Sequence, residues 1–455
     1  MSDKGKHFHE IRDPIHVFVR LSSDERKLVD SLPFQRLRYI HQLATTYLVY
    51  PGATHRRFEH SLGVMELASR VFDVITQQNH IHADVVKALP EITNSEKLVY
   101  WKKALRLAAL CHDLGHLPFS HAAENELLPP HWTHERLSEQ IIKSNYVSPL
   151  LSDMVPPVSA DHVVKLALGP KEAIPLGYKF TLWETVLSEI IVGNAFGVDR
   201  MDYLLRDSHH AGVVYGHFDH YRVIDCLRVL LSPVVDAGQG VHEQPPALGI
   251  TEGGLHSADA MLLARYFMFS QLYFHPVRRI YDIHLKDFLL QEIVKFSTNV
   301  NDLLKVSDNE IVALLSKAAA DATVKGHDPA RRLIYHQHFQ LVYRRREEDV
   351  ALNPEAALRV YEAVSVKFGA DNFRYDKPST GTGTKEFPVL LDNDDVKSSL
   401  SVSETLPKVP PIAVEYVFAD RKLVDEVRRW IDQNRSDIIS KKPADEEDDP
   451  KEGAK

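Results

Sequence analysis

Apolar residues recur at helical spacing through most of the first 300 residues of this 455-residue chain. The pattern begins at Lys27 in KLVDSLPFQRLRYIHQL, where apolar positions lie three and four residues apart. It resumes from Glu59 to Val74, and the segment from Lys103 to His112 is apolar on nearly all sides. A helix that is apolar on nearly all sides belongs at the centre of a domain. The pattern therefore predicts a mostly helical fold built around the Lys103–His112 helix.

Further helices are predicted from the same spacing. They cover residues 135–144, 182–207, 217–231, 256–272 and 279–298. Residues 236–252 carry Gly, Pro and short alternating pieces, which indicate a small hairpin between the helices. The segment YLVYPGATH, which precedes Glu59, is predicted as a short extended piece followed by a Pro-Gly turn.

The sequence pattern changes after about residue 335, where short strand-like segments and loops precede a predicted helix from Asp420 to Asn434. We therefore predict a helical domain over residues 1–335 and a smaller mixed α+β lobe over residues 336–440. The last segment, 441–455, is rich in acidic residues and, proline aside, has no apolar residue larger than alanine. Such a composition predicts a disordered tail.

The composition narrows the class of protein. With 44% hydrophobic and 26% charged residues, the chain resembles an ordinary globular protein. No apolar run reaches the roughly 18 residues that a bilayer span needs, and the polar start has no secretory signal core. The two cysteines and the absence of a signal predict a cytoplasmic protein with no membrane partner. A net charge of −9 argues against nucleic acid as a partner but leaves a local basic pocket open.

The 25 histidines cluster. Five of them fall within 23 residues, at His112, His116, His121, His131 and His134. A lone histidine is usually a structural residue, but this density beside a carboxylate indicates metal and phosphate chemistry.

Three short segments can supply one metal site with His60, His112, Asp113 and Asp199. Two imidazoles and two carboxylates without sulfur are unlike a structural zinc site, and they leave coordination positions open for water or substrate. This donor set accepts Mn, Fe, Ni or Zn, and the sequence does not separate these metals. The order of the ligands is similar to that of the HD phosphohydrolase superfamily.

Other polar residues share helix faces with these ligands. Arg57 precedes His60 by three residues, so a cation and a metal ligand point the same way. Asp199, Tyr203 and Asp207 are four residues apart and form one stripe. His112 and His116, also four apart, are predicted to share a face of the central helix. Each residue alone would be a surface side chain, but their order and helical setting favour a metal site.

Four longer segments carry a closer resemblance. They read DSLPFQRLRYIHQLATTYLVYPGATHRRFEHSLGVMELA, CHDLGHLPFSHAAE, WTHE and GVDRMDYLLRDSHHAG. Together they resemble the HD-domain deoxynucleoside triphosphate triphosphohydrolases over roughly residues 9–300, and the C-terminal lobe resembles them least. The resemblance implies an HD-domain helical core that hydrolyses a dNTP to a deoxynucleoside and inorganic triphosphate. It also implies a divalent metal, additional Mg on the triphosphate, and a homo-oligomer, either a dimer or a tetramer.

The resemblance also implies roles for individual residues. His60, His112, Asp113 and Asp199 would bind the metal. The catalytic residues would be His116, His121 and His134, which together with Arg57 hold or protonate the phosphates, and Glu124, which pairs with His121. Substrate would contact Gln42, Arg57, Arg200, Tyr203, Asp207, Arg265 and Tyr273. An activating GTP or dNTP would contact Asp30, Gln35 and Arg38. The alternative interpretation is that Gln35 and Arg38 are merely exposed positions of an amphipathic helix.

In this set His121, oriented by Glu124, is the expected acid. Two positions depart from the family pattern. Glu124 stands where relatives tend to have aspartate, and Pro276 stands where they carry lysine.

Two alternative functions stay open at the level of sequence. Another HD phosphoesterase, such as a single-stranded nuclease or a hydrolase of signalling nucleotides, would use the same metal ligands. A nuclease needs a long basic groove with aromatic side chains on which bases stack, and the net charge of −9 disfavours such a groove. A non-enzymatic nucleotide-sensing scaffold would require a broken site, whereas every ligand position here is filled.

Overall fold

The structure is a computed structural model of the chain. It describes residues 8–120, 124–231, 233–236, 240–243, 245–291, 297–378 and 386–440. The predicted acid His121 and the predicted disordered tail at 441–455 lie outside the described residues.

Helices dominate the described residues, and the strands form small sheets. The helices α1 to α21 are Ser23–Val29, Leu32–Arg36, Arg57–Ile75, Ala83–Ala88, Ser95–Cys111, Glu124–Leu127, His134–Lys143, Ser148–Ser152, Ala160–Ala173, Leu182–Val192, Val198–Ala211, His220–Cys226, Leu255–Phe267, Pro276–Leu289, Val300–Leu303, Asp308–Ala320, His327–Ile334, Glu347–Leu352, Ala356–Phe368, Ser399–Val402 and Val424–Ser440. The strands β1 to β11 are Phe8–Asp13, Val17–Ser22, Leu227–Leu230, Pro233–Asp236, Gly240–Glu243, Ala247–Thr251, Gln340–Arg344, Phe373–Asp376, Pro388–Leu390, Val396–Ser398 and Tyr416–Ala419. The predicted mostly α fold with a mixed α+β lobe is confirmed.

The predicted central helix is α5, which packs against α3 and α9. Its residues from Ala104 to Cys111, apart from the half-buried Arg106, are buried, as the apolar pattern predicts. One detail of the prediction is wrong: α5 ends at Cys111, so His112 caps the helix and His116 lies in the following turn. Apolar residues continue past Cys111, so their spacing does not reveal where the helix ends.

Other predicted elements need correction. The predicted helix at 182–207 is two helices, α10 and α11, separated by a segment that begins and ends with glycine, a poor helix former. The second half of the predicted helix at 217–231 is the strand β3, because a short buried strand and a buried helix segment look alike in sequence. The predicted extended piece at the start of YLVYPGATH is not extended, because Tyr47 and Leu48 are the last residues of a 3₁₀-helix, Ala44–Leu48.

The C-terminal lobe has its own sheet and its own core. Strands β7, β11 and β8 form an antiparallel sheet in that order, and α19 and α21 pack against it around Val360, Val364 and Val427. The lobe also returns to the helical region, because β9 pairs in parallel with β6 in a second sheet of order β10-β9-β6-β3. The division at residue 335 stays a prediction.

No α-helix in the described part of the chain is both long and apolar enough to cross a bilayer.

Candidate active site

The four predicted metal ligands come together from three elements of the helical region. His60 lies on α3, His112 and Asp113 follow α5, and Asp199 lies in the first turn of α11. His60 Nε2 is 3.1 Å from Asp199 Oδ1 and 3.7 Å from Asp113 Oδ2. His112 Nε2 is 3.4 Å from Asp113 Oδ1 and 3.7 Å from Asp199 Oδ1. Nε2 of both histidines and Oδ1 of Asp199 lie close enough together to bind one ion. Asp113 borders the same point, with one oxygen towards His112 and the other towards His60.

Both imidazoles present the same nitrogen to this centre. Nδ1 of His112 donates to the carbonyl oxygen of Ala109 at 2.8 Å, and Nδ1 of His60 donates to Asp202 at 2.8 Å. A bond at Nδ1 fixes the tautomer whose unprotonated Nε2 can bind a metal. The two histidines are therefore oriented as ligands.

The electrostatics of the centre favour a cation. Burial opposes charge on Asp113 and Asp199, but neighbouring cationic groups and hydrogen bonds hold the pKa of both carboxyls below their usual range. Burial also opposes charge on His60, yet its bonds to Asp199 and Asp202 raise its pKa to about 10. His112 Nε2 is buried and makes no hydrogen bond to any residue that the structure describes. These residues fit a divalent metal, which supplies the positive charge and a partner for that nitrogen.

Arg57 adds a fixed positive charge beside the centre. It lies at the start of α3, one turn before His60, as its spacing predicts. Its Nη1 donates to Asp113, and its Nε donates to Ser120 Oγ at 2.9 Å. The guanidinium is 4% exposed and lines the cavity described below, so it can face an anion near the metal.

Two histidines form a stacked pair next to Asp113. The rings of His116 and His134 are 4.0 Å apart and nearly parallel, and His116 Nε2 is 3.2 Å from Asp113 Oδ1. His134 begins α7, and Gly115 allows that helix to approach, because a Cβ there would lie 2.1 Å from the carbonyl oxygen of His134. Glu124 accepts from both the backbone N–H of His134, at 2.6 Å, and its Nδ1, at 2.8 Å.

The two stacked histidines differ in their preferred charge. Burial and the positive charges of Arg57 and His134 lower the pKa of His116 well below its usual range. Burial also disfavours charge on His134, but its bond to Glu124 and the charge of Glu135 raise its pKa. Burial and nearby positive charge therefore favour the neutral form of His116, whereas the bond to Glu124 favours the cationic form of His134. The pair therefore places a histidine that favours its cationic form next to one that favours its neutral form, beside Asp113.

Two tyrosines, Tyr203 and Tyr273, form a tyrosine wall beside Asp207. Tyr273 donates its hydroxyl hydrogen to Asp207 Oδ2 at 2.7 Å, and His55 Nε2 donates to Asp207 Oδ1 at 2.7 Å. Tyr203 packs edge-on against Tyr273, with ring centroids 6.1 Å apart. Tyr273 ends a π-helical segment, Met268–Tyr273, and such segments are frequent at functional sites.

Most of these groups border one cavity of about 1800 Å³. The predicted residues that line it are Gln42, Arg57, His112, Asp113, His116, His134, Asp199, Arg200, Tyr203, Asp207 and Tyr273. His60 and Glu124 lie behind this lining and contact it. The structure therefore brings together most of the residues that the resemblance assigns to metal and substrate.

Other predicted residues are not in that lining. The guanidinium of Arg265 lies 5.4 Å from the ring of Phe269, which does line the cavity. Asp30, Gln35 and Arg38 lie at the ends of α1 and α2, where Arg38 Nε donates to Gln35 Oε1 at 2.9 Å. The pairing of Glu124 with His121 cannot be compared with the structure, because His121 lies outside the described residues.

Several contacting residues were not predicted. Ser120 contacts Arg57, His55 contacts Asp207, and Asp202 contacts His60. The sequence does contain one signal, since Asp202 lies three residues after Asp199 on the same helix and four before Arg206. That spacing predicts an ion pair but not its burial.

Comparison with known proteins places this geometry in a family. Residues 57–173 match the HD domain, and residues 239–372 match the HD associated region. An uncharacterized protein of the archaeon Methanocaldococcus jannaschii is 30% identical over 440 residues, which are 95% of this chain and 83% of that protein. This chain belongs to the HD-domain family. It is therefore a member of the HD phosphohydrolase superfamily, whose domains bind divalent metals.

Two further relatives of this HD-domain protein bear on its fold and chemistry. A hypothetical protein from Aquifex aeolicus has a solved structure that superposes with a TM-score of 0.74 at 32% identity, covering 93% of this chain and 99% of that one. Human deoxynucleoside triphosphate triphosphohydrolase SAMHD1 is 29% identical over 423 residues, or 83% of this chain. The chain spans 63% of the human protein, less than two thirds of its length.

Proposed function

We propose that this protein hydrolyses deoxynucleoside triphosphates to a deoxynucleoside and inorganic triphosphate. The observation that carries the proposal is that one cavity joins a metal centre, cationic side chains and a tyrosine wall. The proposed metal is Mn, Fe, Ni or Zn, with additional Mg on the triphosphate. The name of the human relative, a dNTP triphosphohydrolase, supports the substrate class.

The residues of the metal centre have different roles in hydrolysis at the α-phosphorus. When bound, a divalent metal at this centre supplies a water of lowered pKa and a Lewis acid for a phosphoryl oxygen. Asp113 and Asp199 would hold the ion, while Arg57 holds Asp113 and would offset charge that develops on the phosphate. Arg200 lines the same cavity and is held by the backbone oxygen of Asn194.

The histidines provide protons and positive charge for the triphosphate. Cleavage of the P–O5′ bond places an electron pair on O5′, which must gain a proton as the deoxynucleoside leaves. His121 is the predicted donor. Among the described residues His134 is the candidate, because Glu124 holds its Nδ1 and favours its cationic form. His116 is neutral and can accept or donate a hydrogen bond.

The identity of the product tests the proposal. We expect the first phosphate product to be intact tripolyphosphate, because water attacks the α-phosphorus and the cations hold the whole phosphate chain. In ¹⁸O-labelled water the label should enter tripolyphosphate, and the deoxynucleoside should stay unlabelled. Phosphorus NMR and mass spectrometry measure both. Orthophosphate or pyrophosphate as the first product would assign another phosphoesterase reaction, and cleavage of single-stranded DNA would indicate a nuclease.

The dependence of kcat/KM on pH should reflect the charge of His134. Because the pKa of His134 is raised, its cationic form persists to higher pH than that of an ordinary histidine. The cation is lost as pH rises further, so kcat/KM should fall on the alkaline side. Glu124→Gln removes the bonded anion and should move this decline to lower pH. Glu96→Gln, on the exposed side of α5, is the control and should leave it in place. An unchanged pH profile in Glu124→Gln contradicts this role.

We also propose that the protein forms a homo-oligomer and that GTP or a dNTP activates it. Phe8, Phe18, Leu32 and Tyr39 are each at least 45% exposed near the N-terminus, which supports a homo-oligomer formed through this surface. The bonded pair Gln35 and Arg38 supports a nearby site for GTP or a dNTP activator. Light scattering and initial rates with and without GTP, compared between wild type and Arg38→Ala, test both. A monomer with unchanged rates contradicts both.

A further inference from the structure

A network of buried charged side chains lies directly behind His60, on the side of its ring away from the metal centre. Asp202 accepts from His60 Nδ1 at 2.8 Å, His16 Nε2 at 2.7 Å, and Arg206 Nε and Nη2 at 2.8 and 2.9 Å. These four side chains belong to residues that are at most 3% exposed. Both oxygens of the Asp202 carboxylate are therefore fixed in direction, and one of them is fixed on a metal ligand.

The chain makes room for this contact. Gly63 follows His60 by one turn of α3, and a Cβ at Gly63 would lie 1.9 Å from Asp202 Oδ1 and 2.5 Å from Arg206 Nη2. Arg206 is held on its other side by Asp13, whose Oδ2 accepts from Nη1 at 2.8 Å. Asp13 also accepts two backbone N–H groups of the turn between β1 and β2. The turn of the N-terminal hairpin is thereby connected to the back of the metal centre.

We propose that Asp202 is a positioning residue of the metal centre, which holds His60 through Nδ1 and so directs its Nε2 at the metal. An anionic acceptor at Nδ1 fixes the tautomer and makes Nε2 a better donor to the ion. Arg206 and His16 keep the carboxylate from rotating away. His112 has a neutral carbonyl at its Nδ1 instead, so Asp202 places a full charge behind one of the two imidazole ligands.

A purely structural role is the competing explanation. Asp202 and Arg206 form a buried ion pair, and breaking such a pair destabilises a protein whatever lies beside it. Asp13 offers a matched comparison, because it bonds the same guanidinium from the other side. Its side-chain hydrogen bonds within the described residues go to Arg206 and to the turn after β1, and not to His60. Asp13→Asn and Asp202→Asn each neutralise one buried partner of Arg206, but only Asp202→Asn alters the group behind His60.

The experiment measures metal affinity without nucleotide, so it rests on the metal centre and not on the proposed substrate. Metal-free wild type, Asp202→Asn and Asp13→Asn are titrated with Mn²⁺, and free Mn²⁺ is followed by electron paramagnetic resonance. We expect Asp202→Asn to bind Mn²⁺ about 10- to 100-fold more weakly, and Asp13→Asn to bind it nearly as wild type. Thermal unfolding of the metal-free proteins should show comparable losses for both. Equal losses of Mn²⁺ affinity in both variants would overturn the proposal.

Two further measurements keep the test independent of how well Asp202→Asn folds. In the His60→Ala background, adding Asp202→Asn should weaken Mn²⁺ binding little further, because the two residues act through one bond. In zinc-loaded wild type, ¹⁵N–¹H correlation spectra should show His60 protonated at Nδ1. Additive losses, or protonation at Nε2, would overturn the proposal. A failed dNTP assay would leave all of these metal measurements unaffected.

Discussion

Replacing Asp113 or Asp199 by alanine should lower kcat/KM for dNTP hydrolysis by about 1000-fold, and each variant should lose bound metal. Each carboxylate is within 4 Å of His112 or His60 and carries negative charge that would offset a bound ion. Removing one leaves the ion with fewer ligands and an unbalanced charge. In Asp113→Ala the buried guanidinium of Arg57 also loses its partner, so this variant should be the less stable of the two.

Asp225→Ala is the matched control, because that carboxylate is exposed on α12 and lies outside the cavity lining. It should keep both metal content and activity. Metal content is measured by elemental analysis after gel filtration, alongside initial rates and thermal unfolding. Full activity in a thoroughly chelated protein would contradict the metal requirement, and a folded, metal-loaded Asp199→Ala enzyme with wild-type rates would remove Asp199 from the centre.

The grouping of the candidate metal ligands could be predicted because their residue types and their order are unusual in sequence. His112 and Asp113 follow a helix whose burial is evident from its apolar residues, and Asp199 begins the stripe that Tyr203 and Asp207 continue. The end of that first helix could not be predicted from periodicity, since apolar residues continue beyond it. Gly115 was the available signal, because it marks the close approach of α7 and hence the contact between His116 and His134.

Contacts between distant segments could not be predicted. Asp202 looks like an ordinary helix carboxylate in sequence, and only the fold places His16 from the N-terminal hairpin on one of its oxygens. The three-residue strand β9 pairs with β6, well over 100 residues earlier, and nothing in either segment specifies the other. A short strand has too few side chains to encode its partner, and the packed helices decide which edge is available.

The proposed function also predicts that the enzyme selects deoxyribonucleotides over ribonucleotides. We expect kcat/KM for dGTP to exceed that for GTP by about 100-fold, because a rigid tyrosine wall beside the sugar would exclude a 2′-hydroxyl. Tyr273 is 8% exposed, its hydroxyl is held by Asp207, and Asp207 is held in turn by His55. Burial and the charge of Asp207 raise the pKa of Tyr273 well above its usual range, so the hydroxyl stays a donor. Gln42 lines the same cavity and is predicted to share the 3′-hydroxyl with Asp207.

Tyr273→Phe tests whether the held hydroxyl makes this wall rigid. The ring remains, but without its bond to Asp207 it can move, so discrimination between dGTP and GTP should fall below about 10-fold, mainly through faster GTP turnover. Tyr335→Phe, at a half-exposed tyrosine outside the cavity lining, should leave the ratio unchanged. The four dNTPs should be used at similar rates, because the sequence offers no clear group that reads a base. Equal turnover of GTP and dGTP by the wild-type enzyme would show that this wall does not select the sugar.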